Sequence, residues 1–200
     1  SSVLVAEYNF LYETGATTLC DNEGVSDDVK NNGKSKDQWH LDSCGFQKAW
    51  KKLKNDKKNP GGDSGVIVAV IDTGVDFDHE DLKNNMWTNV GEVPGDGRDN
   101  DGNGYVDDYY GVNIVAKKGN GDDDHGHGTH VAGVIAAVNN NGVGISSIAG
   151  GSGNGDGVRL MSCQVFDGKY PASDRDMSNA FIYAADNGAC IAQCSYAYDP

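Results

Sequence analysis

The feature that most restricts the fold is the run Val66-Ile-Val-Ala-Val-Ile71, which ends on an acid, Asp72. Every residue in it except Ala69 is β-branched, and such side chains prefer extended backbone. A strand with one wet face alternates apolar and polar residues. This one does not alternate, so both of its faces are buried, as in a parallel sheet covered on each side by helices.

The rest of the chain supplies partners for that strand. Val158–Phe166 and Ala189–Ser195 read as further strands, and Tyr110–Val115 as a short one. A helix is predicted over Gly45–Asn55, with Phe46, Ala49, Trp50 and Leu53 on one face. A second, over His127–Asn140, places His127, Val131, Val134, Ile135 and Val138 on one stripe. A third runs from Asp174 to Asn187, opened by a Ser173/Asp176 capping box and closed by Gly188. Strands alternating with helices define an α/β domain of three layers around a mostly parallel central sheet. Residues 1–13 read as an extended segment and 14–37 as a polar connecting arm, so the domain itself is expected over 38–200.

Composition narrows the function. A formal net charge of −14 excludes nucleic acid as a partner, because phosphate binding needs a basic face. No apolar run approaches the roughly 20 residues of a membrane helix, and no signal peptide is visible at the start. Eight aspartates fall between Asp96 and Asp124 among Gly and Asn, which suggests hard-cation loops; the alternative is a solvated acidic loop. Within that stretch Asp99-Asn-Asp-Gly-Asn-Gly-Tyr-Val-Asp-Asp108 spaces oxygen ligands at alternate positions with Gly at the sixth, like the first half of an EF-hand loop; Tyr110 stands where the closing Glu would be. The five cysteines lack zinc-type spacing. Cys190 and Cys194 on one strand would stand roughly 13 Å apart, too far for a bridge, leaving free thiols as the default and Cys20–Cys44 as an alternative pair.

Asp72 lies at the carboxyl end of a buried strand, where ligands gather in open α/β sheets and where an acid can orient a histidine; a helix cap is the equal alternative for an aspartate taken alone. His127 opens a helix whose first residues are small (Gly126, Gly128, Thr129, Ala132, Gly133), so the helix start can approach the strand ends. His130 is expected to point inward. The combination of Val-Ile-Asp-Thr-Gly-Val-Asp with the later Gly-His-Gly-Thr-His-Val-Ala-Gly133 resembles the Asp and His signatures of subtilisin-like serine proteases (subtilases), and the resemblance extends over Gln38–Pro200.

That resemblance implies a serine endopeptidase with polypeptide substrates, in which Asp72 orients His127 and His127 serves a serine as base and then acid. The family's Gly-Thr-Ser-Met-Ala-like serine stretch and its oxyanion asparagine are absent from this sequence, so the chain is expected to be the N-terminal portion of the catalytic domain, inactive alone, with a C-terminal half of the same domain as partner. Ser195, Tyr196 and Ala197 would form one wall of the substrate cleft and Gly168, with Lys169 and Tyr170, the other. Ca2+ is the implied cofactor. A first site would use Asp99, Asp101, Asn103, the Tyr105 carbonyl and Asp107, with Asp108 in reserve; a second would use Asp81, Asn140 and the carbonyls of Val138, Val143 and Ile145. Residues 3–9 resemble the close of a subtilase propeptide, with an extra surface strand as the alternative. Secretion or a cell-envelope location follows from the family and the ion. Two competing functions stand beside this one: a zinc site at His125, His127 and His130, which lacks the required Asp, and a non-catalytic, calcium-stabilised peptide-binding protein.

Overall fold

A computed structural model describes residues 38–56, 58, 61–168 and 172–196. The apolar run forms β1 (Ile67–Asp72), and all but its first residue are buried. β1 pairs in parallel with β4 (Arg159–Gln164), from Ile67 opposite Arg159 to Asp72 opposite Gln164, and with β5 (Ile191–Gln193) on its other side. β2 (Gly111–Asn113) runs parallel to β4, and the two-residue β3 (Lys118–Gly119), which the sequence did not signal, is antiparallel to β2. The order β3-β2-β4-β1-β5 is the expected mostly parallel sheet, although the strands are shorter than predicted.

Alternation along β1 divides the core. Val68 and Val70 join Leu160 and the helix α3 (His127–Ala136) in one cluster. Ala69 and Ile71 join Met161, Cys163 and the helix α4 (Asp174–Asp186) in the other. The two helices therefore cover opposite faces, which makes the three layers. α4 opens with the predicted reciprocal Ser173–Asp176 cap.

α3 differs from its prediction in two respects. Its buried face is Gly128, Ala132, Gly133 and Ala136, while Val131, Val134 and Ile135 are only partly buried. Small side chains allow the close approach to β1 that larger ones would prevent. The helix also stops at Ala136, because Ala137 turns extended and Asn85 donates its amide to the Ala136 carbonyl. The chain after it becomes a loop pinned by the buried Asn139, which bonds Ser147 and Gly151.

At the N-terminal side, α1 (Trp39–Ser43) and α2 (Phe46–Asn55) dock on the segment after that loop. The buried Gln38 amide exchanges two hydrogen bonds with the Ser146 backbone, and Trp50 Nε1 donates to the Ile148 carbonyl. Of the predicted α2 face, Trp50 is buried and Ala49 is exposed. The extended segment 1–13, the arm 14–37 and Cys20 lie outside the described residues. Cys190 and Cys194 flank β5 rather than sharing it, and Cys44, Cys163, Cys190 and Cys194 are free. Among the described residues no helix is long and apolar enough to cross a membrane.

Candidate active site and acidic loop

Parallel pairing places the ends of β1 and β4 side by side, and the Asp72 carbonyl accepts from the Val165 and Phe166 amides beyond β4. Asp72 is 1% exposed. Its Oδ1 accepts from the Thr73 amide at 2.7 Å and lies 2.7 Å from Nδ1 of His127, the first residue of α3. Its Oδ2 is buried with no partner. An ionised carboxylate can only accept, so this bond puts a hydrogen on Nδ1 and leaves Nε2 as the acceptor. The His127 side chain is 44% exposed, so that nitrogen can be reached from solvent.

Two glycines make the approach possible. A Cβ on Gly128 would collide with the Gly74 carbonyl, and Gly74 itself has φ of +104° with the Gly121 and Asp122 carbonyls packed against it. Thr73 Oγ1 accepts from the Gly128 amide at 2.9 Å. His130 is exposed rather than inward-pointing. Its pKa and that of His40 are both lowered, first by desolvation and then by the neighbouring imidazole, His127 for His130 and His130 for His40.

Ser195 and Tyr196 follow β5. Ser195 Oγ accepts from Gln193 Nε2, and the Tyr196 ring packs edge-on against Phe166. Gly168 sits beside the Asp124 carboxylate, next to a pocket of about 230 Å³ lined by Asn113, Gln164, Asp123 and Asp167 among others. Ala197, Lys169 and Tyr170 lie outside the described residues.

The acidic loop folds on its own carboxylates. Asp99 accepts from the amides of Gly102, Asn103 and Gly104, and Asp101 from the Asn103 amide and from the Asn89 and Asn103 side chains. Asn103 in turn accepts from the Tyr105 amide, whose ring stands edge-on to Tyr183. Asp107 points elsewhere, to the Gly95 and Gly97 amides. Asp108 is 0% exposed and is bonded by Asn89, Asn103 and Tyr183. Burial raises its pKa against those bonds, with Asp101 and Glu92 adding to the rise.

Glu92 is the residue the sequence reading missed. It is 5% exposed; Oε1 accepts from the Asn100 and Asp101 amides, and Oε2 is buried without a partner. One carboxylate oxygen each from Glu92, Asp99 and Asp101 lie within 4.8 Å of one another, the one such metal-capable group among the described residues. Glu92 falls outside the alternating pattern that flagged the loop, so only its place after Asn89 could have drawn attention to it.

Asp81 does meet the loop after α3. Its carboxylate accepts from Asn141 Nδ2 and the Ile145 amide, and its carbonyl from the Val138 amide. Asn140, at φ +60°, turns its amide nitrogen to the Ser152 carbonyl and leaves Oδ1 buried without a partner. Asn141 bonds the Val143 amide, closing the turn.

The subtilase family profile matches residues 63–199, and the chain belongs to that family. Subtilisin-like protease 1 of Plasmodium vivax is 37% identical over 163 residues, 81% of this chain and 24% of that protein. The thermophilic serine proteinase of Bacillus sp. (strain AK1) is 35% identical over 138 residues, 69% of this chain and 27% of that protein. The chain thus spans only about a quarter of the length of these relatives. A lanthipeptide protease crystal structure overlays with a TM-score of 0.43 at 24% identity, covering 68% of this chain and 30% of that one.

Proposed function

We propose that these residues are the N-terminal portion, 38–200, of the catalytic domain of a serine endopeptidase, with the nucleophilic serine carried outside this chain. The observation that carries the reading is the 2.7 Å contact between a buried Asp72 and a reachable His127. Asp72 fixes the imidazole so that Nε2 faces outward. That nitrogen takes the proton of a serine hydroxyl as the hydroxyl oxygen attacks a peptide carbonyl, then returns it to the departing amine. Asp72 meanwhile balances the imidazolium charge that appears between those two transfers.

Ser195, Tyr196 and Ala197 then offer backbone to an extended polypeptide, supported by the place of β5 at one end of the strand order, with Gly168 on the facing rim. Residues 3–9 are assigned to a propeptide tail. The protein is assigned to the cell exterior or envelope; among its relatives is one named "Cell wall-associated protease" in Bacillus subtilis.

Calcium suits the acidic loop. The buried, unpartnered Glu92 Oε2 is a donor that a hard cation would satisfy, and Asp99 and Asp101 complete an all-oxygen group. Asn103 and the Tyr105 carbonyl remain candidate neighbours, while Asp107 is engaged with backbone amides. The orphaned Asn140 oxygen, in the loop that bonds the Asp81 carboxylate through Asn141 and Ile145, supports a second site with Asp81 and the carbonyls of Val138, Val143 and Ile145. Bound there, the ion supplies charge balance and loop rigidity, with no part in the proton transfers. A fluorophosphonate reagent should label the full-length protein on one serine; a protein that resists it while folded is not a serine protease.

A further inference from the structure

We infer that Asp123 is a positioning residue for the Asp72–His127 pair, clamping the start of α3 to the end of β1; the inference rests on reading that pair as catalytic. Asp123 sits in an acid run, yet Asp122 and Asp124 are exposed and Asp123 is partly buried. Its carboxylate receives five hydrogen bonds. Oδ1 accepts from Thr73 Oγ1 and from the His125 and Gly126 amides, each at 2.9 Å. Oδ2 accepts from the Thr129 amide at 2.9 Å and from Thr129 Oγ1 at 2.5 Å. Those bonds fill the acceptor capacity of a carboxylate, so this group is committed within the protein although it borders the pocket near Gly168.

What these donors have in common is their position around the reacting pair. Thr73 adjoins Asp72 and also accepts from the Gly128 amide, while Gly126 and Thr129 bracket His127. The N-cap of α3 is Gly126, which offers no side-chain cap, so Asp123 satisfies amides at the helix start that would otherwise lack partners. Glycines on both sides of His127 and its half-exposed ring limit the side-chain packing that can hold the imidazole. The imidazole bonds Asp72, and the backbone that carries it is held by hydrogen bonds that one carboxylate collects. An anion is also favoured at a helix N-terminus. Burial acts to raise the Asp123 pKa, but the bonds from Thr129, Gly126 and His125 outweigh it and hold the carboxyl below its usual value, so the clamp stays charged at neutral pH.

A displacement of about 1 Å in a catalytic group costs on the order of a hundredfold in rate. The test compares Asp123→Ala and Asp123→Asn in the full-length protein, measuring kcat and KM on a peptide substrate and the downfield Nδ1 proton resonance of His127. Asp123→Ala should lower kcat by about 100-fold with KM changed by less than about threefold, and should broaden that resonance. Asp123→Asn should fall between, since its one carbonyl oxygen can keep the Oδ1 partners while its NH2 cannot accept from Thr129. A folded Asp123→Ala protein with kcat within about twofold of wild type and an unchanged resonance, or a loss confined to KM, overturns the clamp. Should the alanine variant not fold, the asparagine variant decides by the same criteria. Asp72→Asn measured alongside separates the two levels: if it loses activity and the Asp123 variants do not, only the clamp fails, and if Asp72→Asn is fully active the catalytic reading fails and the clamp with it.

Discussion

The strand end at Asp72 and the loop from Asn89 to Asp108 both concentrate carboxylates, and they hold them by different means. At the strand end, Asp72 sits at the end of β1, and its neighbour Asp123 meets amides and hydroxyls just past β1 and at the start of α3. In the loop, Asp99 and Asp101 are held largely by the amides of the turn they themselves form. Both regions leave one buried carboxylate oxygen without a partner, Oδ2 of Asp72 and Oε2 of Glu92, but among the described residues only Glu92 belongs to a group of three carboxylates with oxygens within 4.8 Å of one another. The two regions should therefore respond differently to the removal of cations.

The largest difference is expected from chelation. An ion bound only to the folded state stabilises it by about 2.7 kcal/mol at a hundredfold excess over its Kd, so a strong chelator should lower Tm by several degrees. Hydrogen exchange should quicken at the amides of 100–104 and stay slow at Gly128. Equal loss of protection in both regions would break the comparison, and an unchanged melting curve would remove the calcium reading.

A sharper test is a change of sign at one residue. Glu92→Gln replaces a buried carboxylate whose Oε2 has no partner while an amide oxygen can keep the two backbone bonds of Oε1, so in chelator the variant should be more stable than wild type by about 1 kcal/mol. In millimolar calcium the order should reverse, because the variant has lost an anionic ligand. A variant less stable under both conditions would show that Glu92 serves packing alone.

The smallest effect concerns pH. The Asp123 pKa is depressed in the folded state, so its contribution to stability is complete above its unfolded value of 3.8 and is lost as pH falls through the lower folded value. Asp123→Asn should therefore flatten the acid end of the stability curve below about pH 4 and leave the neutral region offset by a constant amount. A wild-type and variant difference that persists undiminished to the lowest pH would remove the linkage.

Much of the strand end was legible in the sequence. An apolar run that is β-branched at every position but Ala69 reads as a strand buried on both faces, and Asp72 and His127 stood in motifs whose spacing is rare by chance. The covering face of α3 was harder to see, because hydrophobic periodicity counts Val131, Val134 and Ile135 and overlooks the Gly and Ala residues that actually touch β1. Asp123 was hidden for a different reason: within Asp122-Asp-Asp124 nothing in composition separates a five-bonded acid from two exposed neighbours. The acidic loop announced itself through its Asp-x-Asp-x-Asn spacing, but the ligand set proposed for it depends on a fold-back that brings Glu92 to Asp99 and Asp101 and turns Asp107 away. That geometry is set by glycine turns and the buried Asp108–Tyr183 bond, neither of which has a local signature.

The central claim is that Asp72 orients His127 to serve a serine, and activity measured on the two single variants of the full-length protein tests it most directly. His127→Ala should lose on the order of 10⁶ in kcat and Asp72→Asn about 10⁴, sizes seen when triad members are changed in serine proteases, with each variant still folded. Folded variants that hydrolyse a peptide substrate at the wild-type rate would contradict it.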